Sequence, residues 1–245
     1  MAFTGDYHTH SRYSDGRQSI QEIVQVAERK GLKEVAITDH GPMAVVIGVK
    51  NEDSYRNIQN EIEKLQKSNP SDMRVLMGAE ANIRGIDGKL DIRDELICDL
   101  DVVIAGLHPY TRPSALSDIR RLWIQNSLRH MGRHQREKAV NENTKATLAA
   151  LYNNPRLDIL SHPGLFFRVD VEEVARACIK NDVLFEINCG HEHPSLSDIM
   201  IADKIGVEFI VNSDAHFTES VGAFEYGENA MNHLQIEPDR IKNWT

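Results

Sequence analysis

The chain has 245 residues, which suffices for one large domain or two small ones with a buried core. Hydrophobic residues make up 41 % and charged residues 27 %, as in soluble globular proteins, and no run approaches the ~20 apolar residues that a membrane span needs. The net charge of −9 disfavours a protein that coats duplex nucleic acid. Because the first residues also lack the basic and apolar regions of a secretory signal, we expect a cytoplasmic protein without a membrane partner.

Short apolar runs alternate along the chain with amphipathic helical patterns. Residues 7–10 close a first short strand, and Ser19 with Glu22 forms a capping box that opens a helix ended by Gly31. Pro70 is expected to end the second helix. Further strands are predicted at residues 35–38, 75–78, 102–107, 157–160, 184–188 and 209–212. Further helices are predicted at residues 53–67, 137–152, 171–181, 196–205 and 223–234.

Repeated strand–helix units with continuous apolar strands indicate an α/β protein with a parallel sheet covered on both faces. About seven such units can be counted, so a closed or nearly closed β/α barrel fits better than an open sheet. The sequence shows no internal repeat, low-complexity segment or linker. It therefore predicts a single domain over residues 1–245.

A histidine or a carboxylate follows nearly every predicted strand. The C-terminal strand ends of a β/α barrel build its active site, so these side chains are expected to meet at one mouth. A lone histidine is more often a capping or solvent-facing residue, but such groups on several independent strands favour a shared metal site. His8 and His10 can bind one ion together, because residues two apart in a strand point the same way. The candidate ligands are His8, His10, Asp15, His40, Glu80, His108, His162, Asp214 and His216.

Six short motifs follow one another between His8 and His216: HTHSRYSDG, TDHG, GAEAN, AGLHP, SHPG and NSDAH. Together they resemble the motifs of the PHP (polymerase and histidinol phosphatase) superfamily over essentially the full chain. GAEANIRGIDGKLDI with DVVIAGLHP is most similar to standalone YcdX-like PHP phosphatases and to the PHP domain of bacterial family X DNA polymerases. The resemblance implies the PHP fold, a distorted (β/α)7 barrel, with two or three divalent ions (Zn, Mn or Fe) at a trinuclear site.

The resemblance also divides the ligands among three ions. Asp15 departs from the standalone phosphatases, which use a nearby histidine, whereas many other PHP members use this aspartate. The implied sets are His8, His10, Glu80 and Asp214 for the first ion, Asp15, His40 and His216 for the second, and Glu80, His108 and His162 for the third.

Clustered divalent ions favour phosphate ester hydrolysis, because they lower the pKa of water toward neutrality, supply a hydroxide and stabilise charge on phosphate oxygens. We therefore predict a metal-dependent phosphoesterase, foremost a phosphatase acting on a small phosphorylated metabolite or nucleotide. Glu80, Asp214 and His216 are the candidate catalytic residues, and the donor of the leaving-group proton stays unassigned.

Four arginines next to the motifs are candidate phosphate ligands, because the guanidinium fork matches phosphate oxygens. They are Arg12, Arg84, Arg112 and Arg168, for each of which a solvated surface position is the alternative. His191 and His193 are weaker candidates for substrate contact, since a polar loop explains them equally well.

An arginine-rich insertion around residues 111–136, longer than the matching loop of the standalone phosphatases, carries six arginines against one acid, Asp118. Its apolar residues have a rough helical spacing. It is either a basic lid over the mouth or a helix packed on the barrel or a subunit neighbour. A homo-oligomer is left open.

Several alternatives remain at this stage. An exonuclease-type phosphodiesterase needs a path for a strand, which the acidic chain disfavours unless the arginine-rich insertion provides it. A histidinol phosphatase stays open, since nothing visible selects its substrate. An amidohydrolase shares the HxH start but typically bridges its metals with a carboxylated lysine, where this chain has Glu80. A non-catalytic PHP binding module is disfavoured because all nine ligand positions are filled.

Overall fold

A computed structural model describes residues 2–68 and 72–245. Within these residues, seven parallel strands lie side by side in chain order. The predicted α/β barrel is confirmed. The strands are β1 (Gly5–Asp6), β2 (Glu34–Ile37), β3 (Arg74–Asn82), β4 (Val102–Gly106), β5 (Ile159–Leu160), β6 (Leu184–Asn188) and β7 (Phe209–Asn212).

The helices cover the outside of the barrel. Ser19 and Glu22 form the predicted capping box, and the positive φ of Gly31, +76°, follows the end of the first helix. Pro70, the predicted end of the second helix, lies outside the described residues. The α-helices are α1 (Ile20–Arg29), α2 (Asp53–Ser68), α3 (Asp94–Ile97), α4 (Leu116–Asp118), α5 (Gln125–Leu128), α6 (Arg133–Asn153), α7 (Val171–Asn181), α8 (Leu196–Ile205) and α9 (Glu225–Leu234). None of these is long and apolar enough to cross a bilayer.

The barrel interior changes from apolar to polar along the strands. A small apolar cluster, which includes Ala36, Leu76 and Ile104, fills the end where the strands begin. Their sequence neighbours Val35, Val75 and Val103 instead join the larger core beneath the helices. Because side chains alternate along a strand, positions two and four further on face the interior again, and there they are polar or glycine. The interior positions continue as Thr38 and His40, Gly78 and Glu80, Gly106 and His108, Glu186 and Asn188, and Asn212 and Asp214.

The two ends of the chain close the barrel. The amide of His10 donates to the carbonyl of Ala215 over 2.9 Å, and the amide of Ala215 donates to the carbonyl of His8 over 3.2 Å. The amide of Tyr7 also donates to the Asn212 side chain over 3.0 Å. The segments after β1 and β7 are thereby held next to each other.

Several boundaries differ from the sequence-based predictions, and three of the differences bear on the site or on the length of a helix. The first strand ends at Asp6, so His8 and His10 lie in the segment that follows it. β3 continues to Asn82, which places Glu80 inside the strand rather than at its end. The helix predicted at residues 137–152 begins at Arg133, because the polar residues before Glu137 form a solvent-exposed first turn that carries no apolar pattern.

The arginine-rich insertion forms a nearly continuous helical stretch in which a π-helical segment (Ile119–Ile124) joins α4 to α5. Leu122 is fully buried, and Trp123 packs edge-on against Phe167. The side-chain amides of Asn126 and Asn143 are hydrogen-bonded to each other, which ties α5 to α6. The stretch therefore packs on the barrel, which is the alternative to the lid given in the sequence analysis.

Candidate metal centre

The nine predicted ligand residues converge at the mouth formed by the C-terminal strand ends. His8, His10, His40, Glu80, His108, His162 and Asp214 are buried, while Asp15 and His216 are half-buried at the rim. Three groups have ligand atoms within 4.8 Å of one another, a spacing at which small side-chain shifts can bring them onto one ion. They are His10, Asp15, His40 and His216; His8, His10 and Glu80; and His40, Glu80 and His108.

Glu80 lies at the centre, with its two oxygens facing different groups. Oε2 lies 3.3 Å from His8 Nε2 and 2.8 Å from His40 Nδ1. Oε1 lies 3.2 Å from His108 Nε2 and 3.1 Å from His162 Nε2. A carboxylate with this placement can bridge two ions, as the family resemblance implies.

The other rim contacts agree with the implied sets in part. Asp214 Oδ1 lies 3.1 Å from His10 Nε2, in the first set, and Asp15 Oδ2 lies 3.3 Å from His216 Nε2, in the second. The structure differs in that His10 also groups with Asp15 and His216, and His40 with Glu80 and His108. The individual ligand assignments stay predictions.

The burial pattern of polar atoms supports metal binding by these residues. Several buried nitrogens and oxygens at the mouth make no hydrogen bond of good geometry within the described part of the chain, although some of them lie close together, as His40 Nδ1 and Glu80 Oε2 do. Leaving a buried polar atom unpaired is costly, and bound cations would remove this cost for the carboxylate oxygens and for the unprotonated ring nitrogens among these atoms. The unpaired atoms are His8 Nε2, both ring nitrogens of His10, His40 Nδ1, Glu80 Oε2, His108 Nδ1 and Asp214 Oδ1.

The protonation states of two histidines and two carboxylates suit the same role, whereas nearby carboxylates outweigh burial and raise the pKa of four other histidines: His8, His40, His162 and His216. Burial lowers the pKa of His10 to about 3 and that of His108 to about 4, so both imidazoles are neutral at pH 7. Burial raises the pKa of Glu80 and Asp214, but the surrounding histidines outweigh it and hold both values well below the usual range. Neutral imidazole and ionised carboxylate are the forms that coordinate a divalent cation.

Two ligand positions have backbones in the left-handed region. His162 has φ +26° and Asp214 has φ +53°. Non-glycine residues seldom adopt positive φ, and such conformations concentrate at functional sites. Gly106 leaves room beside His162, because a Cβ there would lie 2.4 Å from Ser161 Oγ and 3.1 Å from His162 Cε1.

Sequence reasoning missed Glu186, a fully buried carboxylate beneath the ligands. Its Oε1 accepts from His8 Nδ1 over 2.7 Å and from Asn212 Nδ2 over 2.9 Å, and its Oε2 accepts from the His162 amide over 2.7 Å. His8 therefore directs Nε2 toward Glu80. The sequence feature that could have identified Glu186 is a carboxylate at an interior position of the apolar run Leu184–Asn188.

The four predicted substrate arginines do not line the cavity at the mouth. The Arg12 side chain contacts Glu22, and Arg168 lies 3.5 Å from Asp198. Arg84 donates to the carbonyls of Arg112 and Pro113, and Arg112 lines a neighbouring surface depression. A role in substrate binding stays a prediction for each of them.

His191 lines the cavity, with Nε2 3.5 Å from Asp214 Oδ2. His193 instead has Nε2 2.9 Å from the carbonyl of Pro163. Of the two weaker candidates for substrate contact, His191 therefore lines the cavity and His193 does not.

The family model of the PHP domain matches residues 6–190. The chain belongs to the PHP family. Among PHP relatives, a protein of Thermoanaerobacter sp. named "Probable phosphatase" is 31 % identical over 99 % of this chain and 91 % of its own length. The "DNA polymerase/3'-5' exonuclease PolX" of Bacillus subtilis is 25 % identical over 98 % of this chain but only 39 % of its own length.

A PHP-like fold also relates the chain to solved structures. A histidinol phosphate phosphatase from Lactococcus lactis, complexed with Zn, L-histidinol and phosphate, superposes with a TM-score of 0.64 and covers 97 % of this chain and 95 % of its own. The two sequences are 15 % identical, so this likeness shows the fold alone.

The arginine-rich insertion contacts the site through its neighbours. Trp123 Nε1 donates to the carbonyl of Pro109 over 2.7 Å, and Arg121 pairs with Glu142 on α6 over 2.7 Å. Arg129 Nη1 lies 3.5 Å from the carbonyl of Phe166. These contacts place the insertion against the cavity wall rather than across the mouth.

Neutralising Arg120, Arg121 and Arg129 to glutamine is expected to lower the melting temperature slightly and to leave the salt dependence of kcat/KM nearly fixed. A partly exposed pair such as Arg121–Glu142 contributes at most about 1 kcal/mol, equivalent to a few degrees at this chain length. Thermal unfolding beside kinetics at low and high salt measures both quantities. A flattened salt dependence with an unchanged melting temperature would instead establish the lid.

Proposed function

We propose that this protein is a metal-dependent phosphomonoesterase that acts on a small phosphorylated substrate. The observation that carries the proposal is that seven of the nine predicted ligands form three groups at the barrel mouth, two of which contain Glu80. The enzyme class, hydrolysis of phosphate esters, is that of the full-length relatives by name.

The reaction converts a phosphate monoester and water into an alcohol and inorganic phosphate. The water oxygen forms a bond to phosphorus, the bond from phosphorus to the ester oxygen breaks, and that oxygen takes up a proton. Bound divalent ions lower the pKa of water and neutralise charge on phosphate oxygens. For this chain, we propose that His8, His10, Asp15, His40, Glu80, His108, His162, Asp214 and His216 hold these ions.

The protein's own part is to keep this arrangement rigid. Ser161 Oγ donates to Glu80 Oε1 over 2.9 Å, which fixes the carboxylate plane. His216 Nδ1 donates to the Asp214 carbonyl over 2.9 Å and so directs Nε2 toward Asp15. Ligands held by such bonds need no rearrangement when charge develops on the substrate.

Gently purified protein is expected to contain two to three divalent metal ions per chain, because the ligand set suffices for three sites. Elemental analysis of freshly purified and of chelated, reloaded material measures this content. A content that stays below one ion per chain after zinc or manganese has been added would contradict the proposed centre.

A substrate screen tests the activity. Chelated protein reloaded with Zn²⁺ or Mn²⁺ is assayed against phosphate monoesters, phosphate diesters and short oligonucleotides. We expect hydrolysis of monoesters that depends on reloading. Turnover of diesters or oligonucleotides in preference to monoesters would favour the phosphodiesterase alternative and reject this proposal.

A further inference from the structure

The cavity above the ligand cluster has a polar floor and an apolar wall. Its volume is about 420 Å³, near the lower end of the range for small-molecule sites. The floor consists of candidate metal ligands. The wall includes Ile47, Pro109, Tyr110, Phe166 and Phe217.

Three aromatic side chains border the floor from three different loops. Phe166 is half-buried, with its ring centroid 5.8 Å from that of His108 and 5.7 Å from that of His162. Phe217 directly follows His216 and is 48 % exposed, and Tyr110 is 60 % exposed. Exposed aromatic rings beside a catalytic floor are unusual on a surface without a partner, because they lose apolar burial that a ligand can restore.

The wall offers no fixed cation. Among the described residues that line the cavity there is no lysine or arginine. The Arg17 guanidinium lies over the Phe217 ring, 5.2 Å from its centroid, and Arg129 contacts the backbone carbonyl of Phe166, but neither arginine lines the cavity. A second anionic group on a substrate would therefore be placed against apolar carbon, which is costly without a paired charge.

We propose, resting on the phosphomonoesterase function, that the substrate carries one phosphate on an uncharged group with a planar apolar ring. Phe166 and Phe217 are the specificity-determining residues, and they pack against that ring while the floor holds the phosphate. The small cavity selects against polynucleotides, and the lack of a cation in its wall selects against bisphosphates and phosphorylated acids.

The test compares alkyl esters of equal intrinsic reactivity: 2-phenylethyl phosphate, ethyl phosphate and ethylene glycol bisphosphate. Their leaving groups are all primary alkoxides, so differences in kcat/KM report binding in the wall rather than leaving-group chemistry. We expect 2-phenylethyl phosphate to exceed ethyl phosphate at least about tenfold, which is the scale of a few buried apolar groups. The bisphosphate is expected to be the poorest substrate.

Substitutions in the cavity wall test whether its aromatic residues cause the preference for the phenylethyl ester. Phe166→Leu and Phe217→Leu are each expected to reduce the ratio of kcat/KM between the phenylethyl and ethyl esters several-fold, since aromatic pairs contribute about 0.5–1.5 kcal/mol beyond their burial. Tyr152→Leu is the matched control, because Tyr152 is also 48 % exposed and lies under a cation, Lys180, outside the cavity. Metal content and melting temperature are measured for all three variants.

Phosphonates give a reading without turnover. Calorimetry of 3-phenylpropylphosphonate and propylphosphonate on the metal-loaded protein is expected to show tighter binding of the phenyl compound, and Phe166→Leu is expected to reduce the difference. Equal affinities for the two phosphonates would overturn the inference. A higher kcat/KM for the bisphosphate than for the phenylethyl ester would also overturn it, and would indicate that Arg17 binds an anion. If esters are hydrolysed without any ring preference, the inference fails and the phosphomonoesterase function stands. If no monoester is hydrolysed, the function fails, and the phosphonate affinities still decide whether the wall binds a ring.

Discussion

Replacing Glu80 by glutamine is expected to reduce kcat/KM for phosphate monoesters by more than about 100-fold. Changes to groups that only hydrogen-bond to metal ligands typically cost up to about 100-fold, and a ligand itself should cost more. One Glu80 oxygen faces His8 and His40, and the other faces His108 and His162. The amide lacks the negative charge and can accept on one atom only, so one group loses its oxygen and the other keeps only a neutral one. Steady-state kinetics with elemental analysis of the same preparation measures activity and metal content together.

Two matched variants control this result. Asp15→Asn removes a rim carboxylate that contacts a single group, and we expect it to cost less, on the order of tenfold. Glu63→Gln changes an exposed carboxylate paired with Lys67 on α2 and is expected to leave activity unchanged. If Glu80→Gln retained the activity and metal content of the unaltered protein, the assignment of the centre would be wrong.

Replacing Glu186 by glutamine is expected to weaken metal binding about 10–100-fold, although Glu186 is not among the predicted ligands. Burial raises the pKa of Glu186, but the charge and hydrogen bond of His8 outweigh it and keep this carboxyl ionised. The glutamine amide would direct a donor at groups that already donate, which leaves buried donors unpaired and costs about 1–3 kcal/mol of the free energy of unfolding. Metal titration of the apo protein and denaturant unfolding measure the two effects.

Glu208→Gln is the control for Glu186, because Glu208 is exposed just before β7 and belongs neither to the ligand groups nor to the cavity lining of the described chain. A loss of stability in Glu186→Gln with unaltered metal affinity would show that Glu186 supports the core alone. A loss of metal affinity with near-normal stability would show that it acts through His8.

The sequence predicted the barrel and the convergence of the candidate ligands because both follow from local sequence patterns. The apolar runs are continuous, since each strand is covered on both faces, and the histidines and carboxylates follow where the apolar runs end. His8, His40, Glu80, His108 and Asp214 could therefore be predicted to meet without knowledge of their distances.

Other features could not be predicted from such patterns. Glu186 lies within an apolar run, and only the alternation of side chains in a known strand register shows that it faces the ligands rather than the helices. The arginines depend on loop conformation. Arg84, for example, donates to the carbonyls of Arg112 and Pro113, a contact between segments that the sequence alone does not align.

The closure of the barrel by its two chain ends has a consequence for biogenesis. His8 and His10 are synthesised about 200 residues before Asp214 and His216, and the backbone bonds between His8, His10 and Ala215 bring them together. A nascent chain therefore cannot bring the ligands proposed for the first ion together until the segment after β7 lies beside the segment after β1. A ligand that binds the folded state stabilises it, so the proposed centre predicts that metal supply after synthesis affects how much newly made protein persists in the folded state.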